Sequence, residues 1–524
     1  MSRINTNVPS LIAQRVLGQN TFALGTALER LSTGLRINRG KDDPAGLIAS
    51  QNLRAEKAAL QQAINNAERA DQVVNIAEGG LEEIASLLNE LQALVTETAN
   101  SAGLSVEERL ASQLQIDSVL QTIDRVAAAT SFQGLKLLNG NLDYSIESVS
   151  ANVESFRVNG AKLNYGETLS VDVLVVASAQ VGGFFLSFGA NNLNLGGPSD
   201  SDGASESFVL EIAGPNGSRE LSFASGTQLS DVAAAINSFV AVTGVRATVS
   251  GTTGIRLEST GFGSDQFVSV KIVDDGAIGT ASNIGIYNLQ AQDANAADTS
   301  SSVDFADATN RITDSGQDIS ATINGITATT RGTLARISTD FLDIEVDLAY
   351  DTASANANAA RLGTVNALTI TGGGADFQLA SRVDIAGRVS LGIQNVAVRD
   401  VGRTIVDVSG TPSTFLLKDL GTGRELNVVD GNLDAAQKVI ETTIREISSL
   451  RGRLGAFQKN TIGATIRSLG ISFENTTAAE SVIRDTDFAD ETAQLTRAQI
   501  LVASTTNVLA ISNTQPQSVL QLLG

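Results

Sequence analysis

The chain has no cysteine, no histidine and no tryptophan, and it is poor in methionine (one), tyrosine (four) and proline (six). Without cysteine there are no disulfides, no thiolate nucleophiles and no Cys-ligated zinc, and without histidine there are no Ser-His-Asp triads and no His-Glu-x-x-His protease helix. Carboxylate chemistry survives this exclusion, because Asp and Glu number 57, although no pair of them stands out. Basic residues are scarce, 36 against those 57, for a formal net charge of −21. That balance, with so few stacking rings, argues against nucleic acid and for a soluble surface. The opening stretch Met1–Ser10 lacks an apolar run of signal-peptide length, and no later run is long enough to span a bilayer, which taken alone reads as cytoplasmic. A length of 524 residues exceeds one ordinary core and implies roughly two to four domains.

What is present begins with helical periodicity at both ends. Leu17, Leu24, Leu28, Leu31 and Leu35 fall at spacings of seven, four, three and four and draw a narrow apolar seam along a helix over about 5–36. Gln14, Gly18 and Asn20 interrupt it, so the helix is marginal alone. Gly40 breaks the pattern, Asp43 is a good N-cap, and Pro44 takes the first helical position, where its missing N–H costs nothing. At the other end Leu495, Val502 and Leu509 recur every seven residues, with the small Ala498, Thr505 and Ser512 between them. These spacings predict that the two terminal helices pair. The blander alternative is two amphipathic helices lying on a globular core.

Inside the ends the pattern strengthens. Leu60, Ala67, Val74, Leu81, Leu88 and Val95 recur at seven, joined by Ile64, Ile84 and Leu91, which predicts one helix from Pro44 to about Asn100, roughly 80 Å long. Gly79-Gly80 weakens its middle by about 1 kcal/mol per Gly relative to Ala. Ser105 to Glu108 reads as a capping box opening an antiparallel helix to about Ala129. Ala436, Ile440, Thr443, Ile447, Leu450, Leu454, Phe457, Thr461 and Ala464 then follow a four-three alternation over 434–470. These three helices are expected to bundle into a rod whose core holds Leu60, Ala67, Val74, Leu81, Leu88, Val95, Ile440, Ile447 and Leu454.

Between the helical parts the composition shifts to Gly, Ser, Thr, Asn and Asp with short apolar alternations. Asn159-Gly160, between Phe156-Arg-Val158 and Ala161-Lys-Leu163, gives a hairpin signal within 140–176. Phe208–Ile212, the turn Pro215-Asn-Gly217 and Glu220–Phe223 predict a second hairpin. Thr227–Asn237 reads as a capped helix followed by strands near 245–249, 255–258 and 267–273. Asp200-Ser-Asp-Gly203 fails as a calcium loop, because Pro198 and Val209 occupy ligand positions, and no metal or cofactor is expected. Asn216-Gly-Ser218 reads as a turn before a glycan acceptor. The basic cluster Arg30, Arg36, Arg39 and Lys41 suits either subunit contacts or a solvated face.

Leu31-Ser-Thr-Gly-Leu-Arg-Ile-Asn38 with Lys41-Asp-Asp43 resembles the amino-terminal signature of bacterial flagellins. Ser481–Thr492, Arg497–Leu501 and Gln515–Gly524 resemble the family's closing segment in the family's order. The run 227–273 is similar to the small "IN" insert of some flagellins and hook-associated proteins. The resemblance implies an α+β multidomain chain: a terminal coiled-coil domain (1–42 with 484–524), a helical rod with β-hairpins (43–176 with 405–483), and a β-rich outer insert (177–404), divisible at about 177–284 and 285–404. It also implies a non-enzymatic subunit that polymerises with copies of itself into the flagellar filament for motility. Export apparatus, chaperone, hook-associated and cap proteins are the further implied partners, and the location is secreted, in the extracellular flagellum. A hook–filament junction protein, or an adhesin or hydrolase on a helical stalk, is the alternative. In many flagellins an animal innate immune receptor reads the long helix through an Arg and a Glu. Glu90 and Ala93 stand at those positions here, Leu94 matches, and Gln115 replaces a Glu of the second helix.

Overall fold

The computed structural model describes residues 6–100, 103–164, 166–195, 207–278, 284–289, 297–349, 362–408 and 411–523. Both ends are helical and the middle is rich in strands. Contacts divide the chain into two compact units, Met1–Leu81 with Phe377–Val389 and Ser448–Gly524, and Glu82–Asp376 with Ser390–Ile447.

The helices are α1 (Val8–Thr33), α2 (Pro44–Thr98), α3 (Val106–Ala129), α4 (Leu229–Asn237), α5 (Val240–Thr243), α6 (Leu433–Ala456), α7 (Gly463–Arg484) and α8 (Phe488–Leu523). Their boundaries have local causes. Asn7 caps α1 by accepting from the Ser10 N–H at 3.1 Å. Gly34 ends that helix in the left-handed region at φ 70°, a conformation a β-carbon would strain. Asp43 caps α2 by accepting from the Gly46 N–H at 2.9 Å. Ser105 and Glu108 complete a reciprocal capping box on α3.

In the first unit α2 packs antiparallel against the chain from 448 to 484. Lys57 pairs with Glu480 at 2.6 Å, Gln458 donates to Asn75 at 2.9 Å, and Arg451 meets Glu78 at 2.8 Å. Leu60, Ala67, Val74, Leu81 and Leu454 are buried there. The expected unbroken helix over 434–470 is corrected: a π turn occupies Phe457–Ile462. A π turn inserts one residue into the helical phase. Ile462, fully buried, therefore takes the seam place expected of Thr461, and Ala464 faces water.

In the second unit Leu88, Val95, Ile440 and Ile447 are buried with Ile116, Leu120 and Ile123 of α3. Side chains of α3 tie down the returning chain. Gln113 donates to the Leu420 carbonyl and accepts from the Val428 N–H, both at 2.9 Å, and Asp124 accepts from the Val398 N–H at 2.8 Å.

The strands follow β1 (Ser131–Phe132), β2 (Leu135–Lys136), β3 (Tyr144–Glu147), β4 (Val153–Ala161), β5 (Leu169–Ala177), β6 (Gly183–Ser187), β7 (Ser207–Gly214), β8 (Gly217–Ala224), β9 (Val245–Ser250) and β10 (Gly254–Ser259). They continue with β11 (Phe267–Asp274), β12 (Gly285–Leu289), β13 (Ala297–Val303), β14 (Ile312–Ser315), β15 (Ser320–Ile323), β16 (Ile326–Thr327), β17 (Thr329–Arg331), β18 (Leu334–Ser338), β19 (Leu342–Leu348) and β20 (Gly363–Gly373). Sheets β16-β15-β5-β20-β3 and β17-β18-β19-β4 enclose one core, including Val171, Val173, Ile344, Val346 and Ile370. Sheets β13-β12-β6-β10-β9 and β14-β11-β7-β8, with α4 against them, enclose another that includes Phe184, Phe208, Ile236, Leu257 and Val270.

This pairing corrects the expected divisions at 176/177 and 284/285. β4 and β5 precede the expected insert yet pair with β19, β15 and β20 inside it, so the sandwich of β6–β14 is nested within the sandwich of β3–β5 and β15–β20. The predicted hairpin at Asn159-Gly160 is likewise absent. Both residues lie within β4, where Asn159 donates to Asp343 at 3.0 Å. Gly160 serves close approach instead, since a β-carbon there would sit 3.1 Å from the Ser390 carbonyl. The predicted turn at Pro215-Asn-Gly217 does join β7 to β8, and the failed calcium loop at 200–203 lies outside the described residues.

Candidate functional site

α1 and α8 run antiparallel, and their contact builds from alternating spacings of three and four. On α1 the residues turned from water are Ser10, Ala13, Leu17, Asn20, Leu24, Ala27 and Leu31. On α8 they are Glu491, Leu495, Ala498, Val502, Thr505, Leu509 and Ser512. Small residues sit at the tightest points, with Ala13, Ala27 and Ala498 buried. Polar contacts fix the register. Asn7 donates to the Ser512 carbonyl at 2.8 Å, Ser10 to Asn513 at 2.7 Å and Asn20 to Thr505 at 3.3 Å, while Arg30 stands 3.8 Å from Glu491.

Two expected seam residues are corrected. Leu28 is 49% exposed, because the seam phase selects Ala27, and the next residue lies about 100° further around the helix. Leu35 lies beyond the end of α1 and forms an isolated antiparallel bridge with Asp485.

Outside the seam, both helices present large apolar side chains to water. Leu11, Ile12, Phe22 and Leu28 do so on α1, and Phe488, Ile500, Val508 and Ile511 on α8, with Phe22 and Ile511 each 67% exposed. Sequence periodicity picks out one face per helix, and these residues lie off that face. Their signal is the lack of charged residues along α8 after Arg497.

The joint after α1 ties the basic cluster into the chain. Arg36 donates its N–H to the Arg484 carbonyl at 2.7 Å and its guanidinium to the Ile483 carbonyl at 2.6 Å. Arg39 pairs with Glu29 at 3.0 Å, and the Lys41 ammonium lies 5.4 Å above the Phe22 ring. Asp42 accepts from the Arg39 and Asn38 N–H groups, and the Arg39 bond foremost holds its carboxyl below the usual aspartate range.

On the helix expected to face a receptor, Glu90, Ala93 and Gln115 are exposed, whereas Leu94 is 8% exposed and belongs to the helical core. Among the described residues no group of carboxylates could hold a metal ion, and no helix is long and apolar enough to cross a membrane.

Residues 4–143 match the bacterial flagellin N-terminal helical region, 437–523 the bacterial flagellin C-terminal helical region, and 207–261 the flagellin hook IN motif. The chain is 30% identical to the flagellin of Salmonella muenchen, and 25% identical to flagellin B of Helicobacter pylori, with 99% of both chains covered in each comparison. Among solved structures it resembles the D1-D2-D3 domains of the flagellar cap protein FliD from Escherichia coli at 13% identity, covering 66% of this chain and 96% of that one, with a TM-score of 0.27. Matching helical regions at both ends, an IN motif between them and relatives aligned over almost their whole length agree: the chain belongs to the bacterial flagellin family.

Proposed function

We propose that this structural subunit builds the flagellar filament by coupling the completion of its own fold to association with neighbouring copies. The observation that carries the mechanism is the pair α1 and α8, whose shared seam is narrow and whose outer faces leave Leu11, Ile12, Phe22, Leu28, Ile500, Val508 and Ile511 in water. In that seam Ala, Ser, Asn and Thr alternate with Leu and Val that are only half-buried, so it buries little apolar surface, and long helices with so little tertiary support are marginal. Neighbouring copies would cover the outer faces and supply the missing burial. In this reading the terminal pair forms the filament core, the bundle of α2, α3, α6 and α7 forms a surrounding coiled-coil rod, and the two sandwiches face solvent. The subunit carries out no catalysis, leaves the cell through the flagellar export apparatus with a chaperone, and meets hook-associated and cap proteins at the filament ends. Full-length likeness to flagellins favours this reading over a hook–filament junction protein or a stalked adhesin.

Limited proteolysis tests the coupling. Dilute monomer should lose both ends first, and seeded filaments should protect them. Terminal helices that resist protease equally in dilute monomer would overturn the mechanism.

A further inference from the structure

A cleft of about 1070 Å³ opens in the second unit between the outer face of β4 and β19, the loop 394–405 and α6. It lies just above the usual range for ligand sites, roughly 300–1,000 Å³. Its floor follows from strand alternation. Leu342, Ile344, Val346 and Leu348 of β19 point into the sandwich core, which turns Asp343, Glu345 and Asp347 to the other face. Arg157 of β4 is the cross-strand partner of Glu345, but Glu345 is engaged from the opposite side by Arg336 at 3.1 Å.

Arg157 and Arg403 line the cleft with no hydrogen bond or close ion pair among the described residues; Arg157 attracts Glu446 at longer range, and the exposed Arg403 attracts Glu154. Facing them are Glu154, Asp347 and Glu446. Glu446 accepts from the Gly402 N–H at 2.9 Å and Asp347 from the Thr333 hydroxyl at 2.6 Å, which leaves acceptor sites on both. Burial raises the pKa of all three carboxyls, so water solvates them poorly.

The lining selects a ligand class by what it disfavours. Asp143, Glu154, Glu345, Asp347, Asp400 and Glu446 outnumber Arg157 and Arg403, which opposes an anion. Glu345 and Asp400 are already paired with Arg336 and Arg399, and Arg157 and Arg403 offset two more carboxylates, which weakens the pull on a cation. Apolar contribution is confined to a few side chains such as Phe156 and Ile405, too little for a hydrophobic ligand or an amphipathic helix. A hydroxyl both donates and accepts, so a neutral polyol can satisfy free guanidinium donors and free carboxylate acceptors together. We propose that this cleft is a binding site for a neutral oligosaccharide, held between Arg157 and Arg403 on the donor side and Glu154, Asp347 and Glu446 on the acceptor side.

The test uses full-length monomer and saturation-transfer NMR with maltotriose, cellotriose and triacetylchitotriose, with trigalacturonate and spermine as charged comparators. At least one neutral trisaccharide should bind. The pair Arg157→Leu and Arg403→Leu should weaken it about tenfold while the circular-dichroism spectrum and seeded filament growth stay unchanged. Ser155→Trp, at an exposed position on the cleft rim, should block binding without removing a charge. No transfer to any neutral probe at about 10 mM, preference for trigalacturonate or spermine, or binding that survives both variants would overturn the assignment.

Discussion

Arg30 on α1 and Glu491 on α8 face each other across the terminal seam at 3.8 Å, with their side chains 26% and 6% exposed. Arg30 Nε and Glu491 Oε1 lack hydrogen-bond partners among the described residues, so the pair is enclosed but incompletely satisfied. Replacing Arg30 by Met keeps most of the apolar stem and strands the carboxylate. Stranding one partner of a fully buried pair costs about 3–5 kcal/mol. The partial exposure of Arg30 and its long separation from Glu491 reduce this to about 1–3 kcal/mol. Because the seam must close in the assembled subunit, that loss appears in the critical concentration for seeded growth, a rise of roughly 5- to 150-fold. Sedimentation of filaments grown from unmodified seeds at fixed temperature and salt reads it directly as the protein left in solution. Adding Glu491→Leu removes the stranded charge and should return the critical concentration to within about fivefold of the original. An unchanged single variant would refute the reasoning, as would a double variant no better than the single one.

Removal of 495–524 should abolish filaments while circular dichroism still shows the folded bundle and sandwiches, since the buried residues of α2, α3 and α6 lie outside the deleted segment. Excision of 183–315 with a short linker should leave assembly intact by electron microscopy, because Gln180 and Gln317 exchange backbone hydrogen bonds at 2.8 and 3.0 Å across the cut. Excision of 180–400 should instead give insoluble protein, because it strips β4 and β5 of their partners. Burial raises the Glu154 and Asp347 pKa values, with mutual repulsion adding to the Glu154 shift and Arg403 opposing it. Their stabilising contribution is therefore full below the unfolded-state carboxylate range and falls as pH rises through the higher folded values. Glu154→Gln with Asp347→Asn should accordingly raise the melting temperature at pH 7, and the gain should shrink by pH 4. Purified monomer should signal weakly or not at all through an animal flagellin receptor in a reporter assay, given Glu90 and Ala93 on the exposed face, and Glu90→Arg with Ala93→Glu should raise the signal.

Long-range periodicity made the helices legible. Seven-residue spacing from Leu60 to Val95 leaves no other regular reading, and Leu495, Val502 and Leu509 lie on the half-buried face of α8. Bulk is a poor sign of the seam at Leu28, because close helix approach selects the smaller Ala27 beside it. The π turn left no trace, since Thr461 and Ala464 continue the period that the backbone abandons. Asn159-Gly160 has strong local turn preference, but pairing of nearly the whole of β4 with β19 outweighs it. Nesting of one sandwich inside the other is set by pairings between strands far apart in sequence, such as β5 with β20, which alternation alone does not encode. The cleft has the same origin, because its donors and acceptors come from segments that only those pairings bring together.

Entry and exit of the inner sandwich through one doubly hydrogen-bonded pair, Gln180 and Gln317, makes that sandwich detachable cargo. A foreign domain whose own termini lie close together could be spliced at the same pair, at the loss of the contacts that Phe262, Ser264 and Asp265 make with the outer sandwich. In a polymer of identical subunits each graft would recur at the lattice spacing, so the chain is already laid out as a display scaffold. Phe262, Ser264 and Asp265 still touch the outer sandwich, so the sequence elsewhere within 183–315 is the part expected to diversify without cost to the helices that carry it.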